Sequence, residues 1–329
     1  MVVGGIEMMV YLDQNNPDDE QSEAKKNYII TLIAIFFVLA IFQSICLSVP
    51  SGQTEDRDTL LDFYRRFSVD TDPGEHIKLY RDLPESLEEL CRLIQCQLIH
   101  PFRAQPYVRI LSPDWRYDEQ KYPTVKTMLA GLVNYDPNGL VFTRKPKHRL
   151  VLSCRFSAIL LASILKHRGI PTRCRYGFAR YIGADKDMRI CHVICEVWDK
   201  EKKQWMLVDP VLGMVDIPAH QFEYAAQAWQ RLRQGKVDPA KYGVAGTTGN
   251  YHILDMLCHD MASVLNEELL YKERPPISLD EGLDVTKIER DKMEVLNNLA
   301  DLLKDPDRNL NALRDLRKKH TCLQVERNK

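Results

Sequence analysis

The chain has 329 residues, which is enough for one large domain or two small ones with a hydrophobic core. Its 45 lysine and arginine residues nearly balance its 46 aspartate and glutamate residues, so the net charge is −1. That balance supplies no overall positive field, and the chain carries no RNA- or DNA-binding signature, so nucleic acid is excluded as an expected partner.

The nine cysteines are odd in number and irregularly spaced, which argues against a disulfide framework. The sequence contains no CxxC pair, as a zinc site of the CxxC/HxxxH type would need. Cys191 and Cys195 fall about 13 Å apart on one predicted strand, too far to share a zinc ion. We therefore expect reduced, mostly buried thiols, with no metal and no cofactor.

The first predicted element is an apolar segment at residues 28–47, YIITLIAIFFVLAIFQSICL. As a helix it would be about 30 Å long, enough to cross a bilayer. We interpret it as a single transmembrane helix between a polar tail (1–27) and a linker (48–58); the alternative is a buried core helix. Lys25 and Lys26 favour an N-terminus inside the cell and a catalytic domain outside it, whereas the cysteine usage favours a reducing compartment. The side of the membrane on which the catalytic domain lies is therefore left open.

Helices are predicted on both sides of the central region. Apolar residues recur at spacings of three and four after Pro84, at Leu87, Leu90, Cys91, Ile94 and Leu98. That spacing indicates an amphipathic helix with Pro84 in its first turn. A short helix is expected over 124–132, and two charged amphipathic helices over about 285–304 and 307–319.

Residues 153–210 carry the predicted catalytic elements. Ser153 is a favourable N-cap for a helix that begins at Cys154 and ends before Gly169 and Pro171. Three strands follow, at 172–182, 189–199 and 204–209, joined by turns at 183–188 and 200–203. The predicted order is helix, strand, strand, strand, with antiparallel hairpins.

Three side chains of this segment suit thiol chemistry. Cys154 lies in the first turn of the helix, where unpaired amides and the helix dipole favour a thiolate. His192 lies in the second strand, and Asp209 ends the third strand, next to it by hairpin pairing. A nucleophile, a base and an orienting carboxylate are what thiol acyl transfer needs.

Strand alternation separates the residues around His192 into two faces. Cys191, Val193, Cys195 and Val197 form an apolar face, while His192, Ile194 and Glu196 share the other. Glu196 is therefore a candidate for lining the site. His259, beside Cys258 in a helix predicted at 251–270, could line the cleft, but packing or capping is the preferred interpretation. Trp198, Trp205 and Trp229 are expected in the core or the cleft wall.

This segment resembles the transglutaminase-like core of bacterial transglutaminase-like proteins, peptide N-glycanases and other papain-fold enzymes. The likeness rests on three runs: SCRFSAILLASILKHRGIPTRCRYGFARYI, CHVICEVWD and QWMLVDP. In that family a cysteine opens the central helix, a histidine follows on the next strands, and an aspartate ends the strand after it. The likeness covers roughly residues 70–275. The chain departs from the family pattern at two places. Leu152 and Ser153 stand just before the cysteine, where relatives often carry glycine. Cys191 stands just before the histidine, where an acidic or small residue is common.

The resemblance implies an α+β, papain-like fold with one central helix on an antiparallel sheet and flanking helices. We expect a catalytic domain at 59–280, a helical tail at 281–329, and Cys154, His192 and Asp209 as nucleophile, base and orienting residue. The substrate would be a protein, peptide or small amide, acylated on sulfur as a thioester, so the chain would be a protease, amidase or amine transferase.

The sequence leaves several points open. Substrate identity, hydrolysis against transamidation, and oligomeric state are undecided. The backbone N–H of Cys154 is the one oxyanion donor that the sequence places, and no side chain is assigned to complete the hole. The alternative function is a catalytically idle papain-fold module that serves as a membrane-anchored binding or scaffold unit.

Overall fold

The computed structural model describes residues 57–104, 106, 119–183, 185–244, 246–279 and 285–327. The predicted tail (1–27), transmembrane segment (28–47) and nearly all of the linker (48–58) lie outside these residues. Over the described ranges, no helix is both long enough and apolar enough to cross a membrane.

The helices and strands alternate irregularly along the chain. The α-helices are α1 (Arg57–Arg65), α2 (Leu87–Gln97), α3 (Val125–Tyr135), α4 (Cys154–His167), α5 (Ala225–Arg233), α6 (Asn250–Val264), α7 (Arg290–Leu303) and α8 (Pro306–Lys319). The strands are β1 (Leu98–Ile99), β2 (Leu150–Val151), β3 (Thr172–Ala179), β4 (Arg189–Asp199), β5 (Gln204–Asp209), β6 (Met214–Val215), β7 (Phe222–Tyr224), β8 (Tyr242–Val244) and β9 (Thr247–Thr248). Short 3₁₀ helices connect them, as at Gly74–Tyr80 and Pro101–Arg103.

The main sheet has the strand order β6-β5-β4-β3-β7, and all of these neighbours are antiparallel. Strand β8 pairs in parallel with the start of β4 and carries β9 on its other edge. Strands β1 and β2 form a separate parallel pair. The expected mixture of helices with an antiparallel sheet is confirmed. Strands β4 and β5 have their predicted bounds, while β3 stops three residues early because the chain turns away after Ala179.

Helix α4 is the central helix, and it is buried on all sides from Cys154 to Lys166. It packs against β3 and β4 on the sheet and against α2 and α3. Gly169 ends it in the left-handed conformation (φ +71°). The N–H groups of Gly169 and Ile170 donate to the carbonyls of Lys166 and Leu165, as in a Schellman motif. The predicted helix and its end signal are confirmed.

Two predicted helix boundaries are wrong for identifiable reasons. Pro84 precedes the N-cap Ser86 of α2 and so lies outside its first turn; Ser86 accepts a hydrogen bond from the Glu89 amide and starts the helix. Helix α6 ends at Val264, well before the predicted 270. Asn266 takes the left-handed conformation (φ +63°) just after it, and asparagine tolerates that backbone geometry better than most residues.

Helix α7 begins at Arg290 rather than near 285, and a short 3₁₀ helix covers Val285–Lys287 instead. Otherwise α7 and α8 correspond to the predicted tail helices, and their apolar faces are buried in the main core. The buried side chains are Leu296, Leu299, Ala300, Leu303, Leu310 and Leu313, and they belong to the same cluster as the residues of α4 and the sheet. Glu55–Lys329 accordingly forms one compact unit.

Candidate active site

Cys154 is the first residue of α4, and a pair of short strands fixes its position. Strand β2 pairs in parallel with β1, and just beyond the pair the Leu152 N–H donates to the Ile99 carbonyl at 3.0 Å. Ser153 holds the N-cap position in extended geometry, but its side chain makes no capping hydrogen bond. The amides of the first turn therefore keep their partial positive charge beside the Cys154 thiol.

His192 and Asp209 are brought together by the β4–β5 hairpin. The last strand pair beside them joins Cys195 to Val208, so Asp209 leaves β5 next to the part of β4 that carries His192. The His192 Nε2 lies 2.9 Å from the Asp209 Oδ2. Both side chains are buried. Since Nε2 is engaged by the carboxylate, Nδ1 is the ring nitrogen left to face Cys154.

Asp209 accepts hydrogen bonds on both carboxylate oxygens. The backbone N–H groups of Val211 and Leu212 donate to Oδ1 at 2.8 and 3.1 Å. The Tyr181 hydroxyl donates to Oδ2 at 3.2 Å, beside the His192 contact. Burial raises the pKa of Asp209, but His192 and these amides outweigh it and hold the pKa below its usual range. The carboxylate is thus fixed as an anion that orients the ring of His192.

The electrostatics of the three side chains favour an ion pair. Burial raises the pKa of Cys154, yet the charge of His192 and hydrogen bonds from His100 and His192 outweigh burial, so the pKa lies well below its ordinary value. Burial lowers the pKa of His192, but the charges of Asp209 and Cys154 raise it to about 10. At neutral pH the favoured state is a Cys154 thiolate beside a His192 imidazolium.

Two more side chains lie at the thiol or in its cavity, and neither was expected from the sequence. The Tyr271 hydroxyl lies 3.2 Å from the Cys154 Sγ. His100 lines the cavity that contains the thiol, and it is among the groups that lower the Cys154 pKa. Tyr271 directly follows the helix predicted at 251–270, and the end of α6 at Val264 lets the chain after it bring Tyr271 to Cys154. No local sequence signal marks His100, because it follows a strand of only two residues.

The thiol opens into a cavity of about 610 Å³ that also includes His100, His192 and Tyr271. Most of its wall is apolar, with Phe102, Ile182, Ile190, Val211, Leu212 and Met256 among its residues. Arg103, Asp255 and Arg274 add charge to the wall. A cavity of this size and character can hold a side chain or a short stretch of a substrate next to Cys154.

Glu196 does not line this cavity, which corrects the prediction from alternation. Its carboxylate bonds Arg173 Nε at 2.5 Å, Arg175 Nη1 at 3.1 Å and the Tyr224 hydroxyl at 2.6 Å. Burial raises the pKa of Glu196, but the two arginines outweigh burial and bring it to about 2. Alternation gave the correct face of β4, but four residues along a strand cover about 13 Å. Glu196 therefore belongs to a buried ionic cluster away from the thiol.

The remaining candidates have structural surroundings. His259 is buried, with Nδ1 on the Asp255 carbonyl at 2.9 Å and Nε2 on the Leu270 carbonyl at 3.1 Å, which agrees with the packing interpretation. Trp229 is fully buried, while Trp198 and Trp205 stack edge to face at 5.3 Å. None of these four residues lines the cavity of Cys154.

The other thiols of the described residues differ from Cys154. All of these cysteines are free. Burial raises the pKa values of Cys191, Cys195 and Cys258. Cys195 lies in the core as expected from alternation, while Cys191 belongs to the core cluster and also lines the cavity of Cys154. Within the described ranges no cluster of three or more histidine, cysteine or acidic residues could hold a metal ion. Comparison of the chain with protein-family models, curated proteins and solved structures finds no match.

Proposed function

We propose that this chain is a cysteine-nucleophile acyltransferase or hydrolase of the transglutaminase-like type, acting on an amide or peptide. The observation that supports it most is the contact of 2.9 Å between His192 Nε2 and Asp209 Oδ2. That contact leaves Nδ1 of an oriented imidazole for a thiol at a helix N-terminus. A thiol, an imidazole and a carboxylate in this order are the working parts of a cysteine triad.

The papain-like description of the fold is part of the same proposal. Its support is the packing of α4, which begins at the nucleophile, against the antiparallel strands β3 and β4. The histidine lies on β4 and the aspartate at the end of β5. This is the arrangement that the resemblance to transglutaminase-like enzymes implies.

The proposed reaction has two half-reactions. The Cys154 thiolate attacks the carbonyl carbon, the C=O electron pair moves to oxygen, and the oxyanion forms near the N-terminus of α4. The His192 imidazolium gives its Nδ1 proton to the leaving amine as the C–N bond breaks, which leaves a thioester on Cys154. The neutral imidazole then takes a proton from water or from a second amine as it attacks, and the thiolate leaves with an acid or a new amide as product.

We further propose that residues 28–47 anchor this unit to a membrane. The support is the length and apolar composition of that segment alone. Carbonate extraction of membranes from cells expressing the full chain tests it. Retention in the membrane pellet that is lost on deleting residues 1–50 is expected, while release of the full chain by carbonate would contradict the anchor.

Acetylation by p-nitrophenyl acetate tests the catalytic proposal without a known substrate. The wild-type protein should release a burst of p-nitrophenolate as Cys154 becomes acetylated, and Cys154→Ala should lose the burst. Cys96→Ala is the matched control, because Cys96 is a half-buried thiol outside the cavity residues. A burst that survives in Cys154→Ala would contradict the proposal, and no burst in the wild type would favour the idle binding module.

A further inference from the structure

His100 is carried to the side of Cys154 by the parallel pairing of β1 and β2. Ile99 pairs with Val151, and the Leu152 N–H donates to the Ile99 carbonyl at 3.0 Å. The two chain segments leave this pair side by side. One continues into His100 and the other into Cys154, the residue whose backbone N–H is expected to face an oxyanion.

The ring of His100 has a defined orientation. Its Nδ1 accepts a hydrogen bond from the Phe102 N–H at 3.4 Å, and its ring packs at 5.3 Å from the Phe102 ring. A neutral imidazole whose Nδ1 is an acceptor carries its proton on Nε2. His100 therefore carries an N–H donor on a ring that lines the same cavity as Cys154. The lowering of the Cys154 pKa by His100 agrees with a donor directed at the thiolate.

We propose that His100 is a further catalytic residue, whose Nε2–H completes the oxyanion hole with the Cys154 backbone N–H. This inference rests on the proposed acyl transfer. As the thiolate bonds the carbonyl carbon, the negative charge leaves Sγ and arrives on an oxygen bonded to the same carbon. A donor held beside Cys154 by the β1–β2 pair needs little movement to follow that charge, and such preorganised donors lower the barrier.

Tyr271 is the competing donor, since its hydroxyl lies 3.2 Å from the Cys154 Sγ. It belongs to the segment after α6, whose backbone is held at Tyr271 by the Glu119 carboxylate at 3.0 Å. His100, in contrast, is tied through Ile99 to the backbone that leads into the Cys154 amide. Because the oxyanion must reach that amide and the second donor together, His100 is the better placed of the two.

Two reagents separate an oxyanion donor from a residue that only supports the thiolate. Iodoacetamide alkylates a thiolate by displacement and forms no oxyanion, whereas p-nitrophenyl acetate passes through a tetrahedral oxyanion. In His100→Ala we expect acetylation of Cys154 to slow by about 10²–10³-fold. Alkylation of the same variant, measured at the same neutral pH, should slow far less than acetylation. His100→Phe keeps the ring without the donor and should behave alike, while His100→Gln restores an N–H donor and should recover part of the rate.

Each other outcome identifies a different failure. Equal slowing of both reagents would make His100 a support of the thiolate, and slowing of neither would remove it from the mechanism; both overturn the inference. A selective loss of acetylation in Tyr271→Phe instead would assign the donor to Tyr271. If the folded wild-type protein shows no acetylation of Cys154, the proposed function itself fails, which is seen before any His100 variant is made.

Discussion

Asp209→Asn replaces one carboxylate oxygen by an amide NH₂ and keeps the shape of the side chain. In the wild type, Oδ1 accepts from two backbone N–H groups, and Oδ2 accepts from His192 and Tyr181. The backbone groups can only donate, so the single amide oxygen of asparagine must stay with them. Its NH₂ group then faces His192 Nε2 and donates to it. That donation forces the imidazole proton onto Nδ1, where the ring can no longer accept the thiol proton of Cys154.

The size of the effect follows from the electrostatics of His192. Raising the pKa of His192 from 6.5 to about 10 stabilises its imidazolium by roughly 5 kcal/mol, since one pKa unit equals about 1.36 kcal/mol. The Asp209 charge is the largest of the favourable causes. We therefore expect Asp209→Asn to slow acetylation by about 10²–10⁴-fold, in the range seen for orienting carboxylates of catalytic triads.

The assay is the rate of Cys154 acetylation by p-nitrophenyl acetate at pH 7, on protein whose near-ultraviolet circular dichroism matches the wild type. Tyr181→Phe is the matched control, because it removes one contact to Oδ2 and leaves the charge of Asp209 in place. It should lose much less activity than Asp209→Asn. A folded Asp209→Asn protein that acetylates at the wild-type rate would refute the orienting role of Asp209.

Three further predictions concern pH and stability. The acylation rate should be bell-shaped in pH, with an alkaline limb near pH 10 where the His192 imidazolium loses its proton. In His192→Ala, the thiol pKa measured by iodoacetamide titration should rise back toward its ordinary range. Identical titration curves for the wild type and His192→Ala would mean that Cys154 and His192 are not partners. Glu196→Gln should lower the free energy of unfolding in urea at pH 7 by about 3–5 kcal/mol, because it removes the carboxylate that pairs with the buried Arg173 and Arg175. The rate of Cys154 alkylation should not change. An unchanged urea midpoint would contradict this prediction. Gly177→Ala should cost about 1–3 kcal/mol, because a Cβ there would lie 2.3 Å from the Glu223 carbonyl oxygen, and unchanged thermal denaturation would contradict that packing.

The pH dependence of the Glu196 contribution has a definite sign. Its pKa falls from an ordinary 4.5 to about 2 on folding. A lowered carboxyl pKa stabilises the fold above pH 4.5, and that stabilisation is lost as pH falls through about 2. The difference in unfolding free energy between the wild type and Glu196→Gln should therefore shrink in acid.

Local signals account for the parts of the fold that could be predicted. Helix α4 and its end follow from an apolar run closed by Gly169 and Pro171. The β4–β5 hairpin follows from β-branched residues on either side of a charged turn, where Lys203 takes a positive φ of 51°. The meeting of His192 and Asp209 follows from that hairpin, although the catalytic roles remain predictions.

The parts that could not be predicted depend on distances across the fold. Alternation along β4 gives a face but not a position, so Glu196 was assigned to the wrong place. The left-handed Asn266 ends α6 early and frees Tyr271 for the thiol. The parallel pair β1–β2 joins segments far apart in the chain, each only two residues long, so no sequence pattern points to His100.

Mass mapping of the acyl-enzyme tests the central claim most directly. The full chain would be treated with p-nitrophenyl acetate at neutral pH, quenched in acid, digested and sequenced by mass spectrometry, beside Cys154→Ala and His192→Ala. We predict a single acetyl thioester on Cys154 in the wild type, a much slower one in His192→Ala and none in Cys154→Ala. Acetyl groups spread over other thiols and lysines, with Cys154 unmodified, would contradict a Cys154–His192–Asp209 catalytic site.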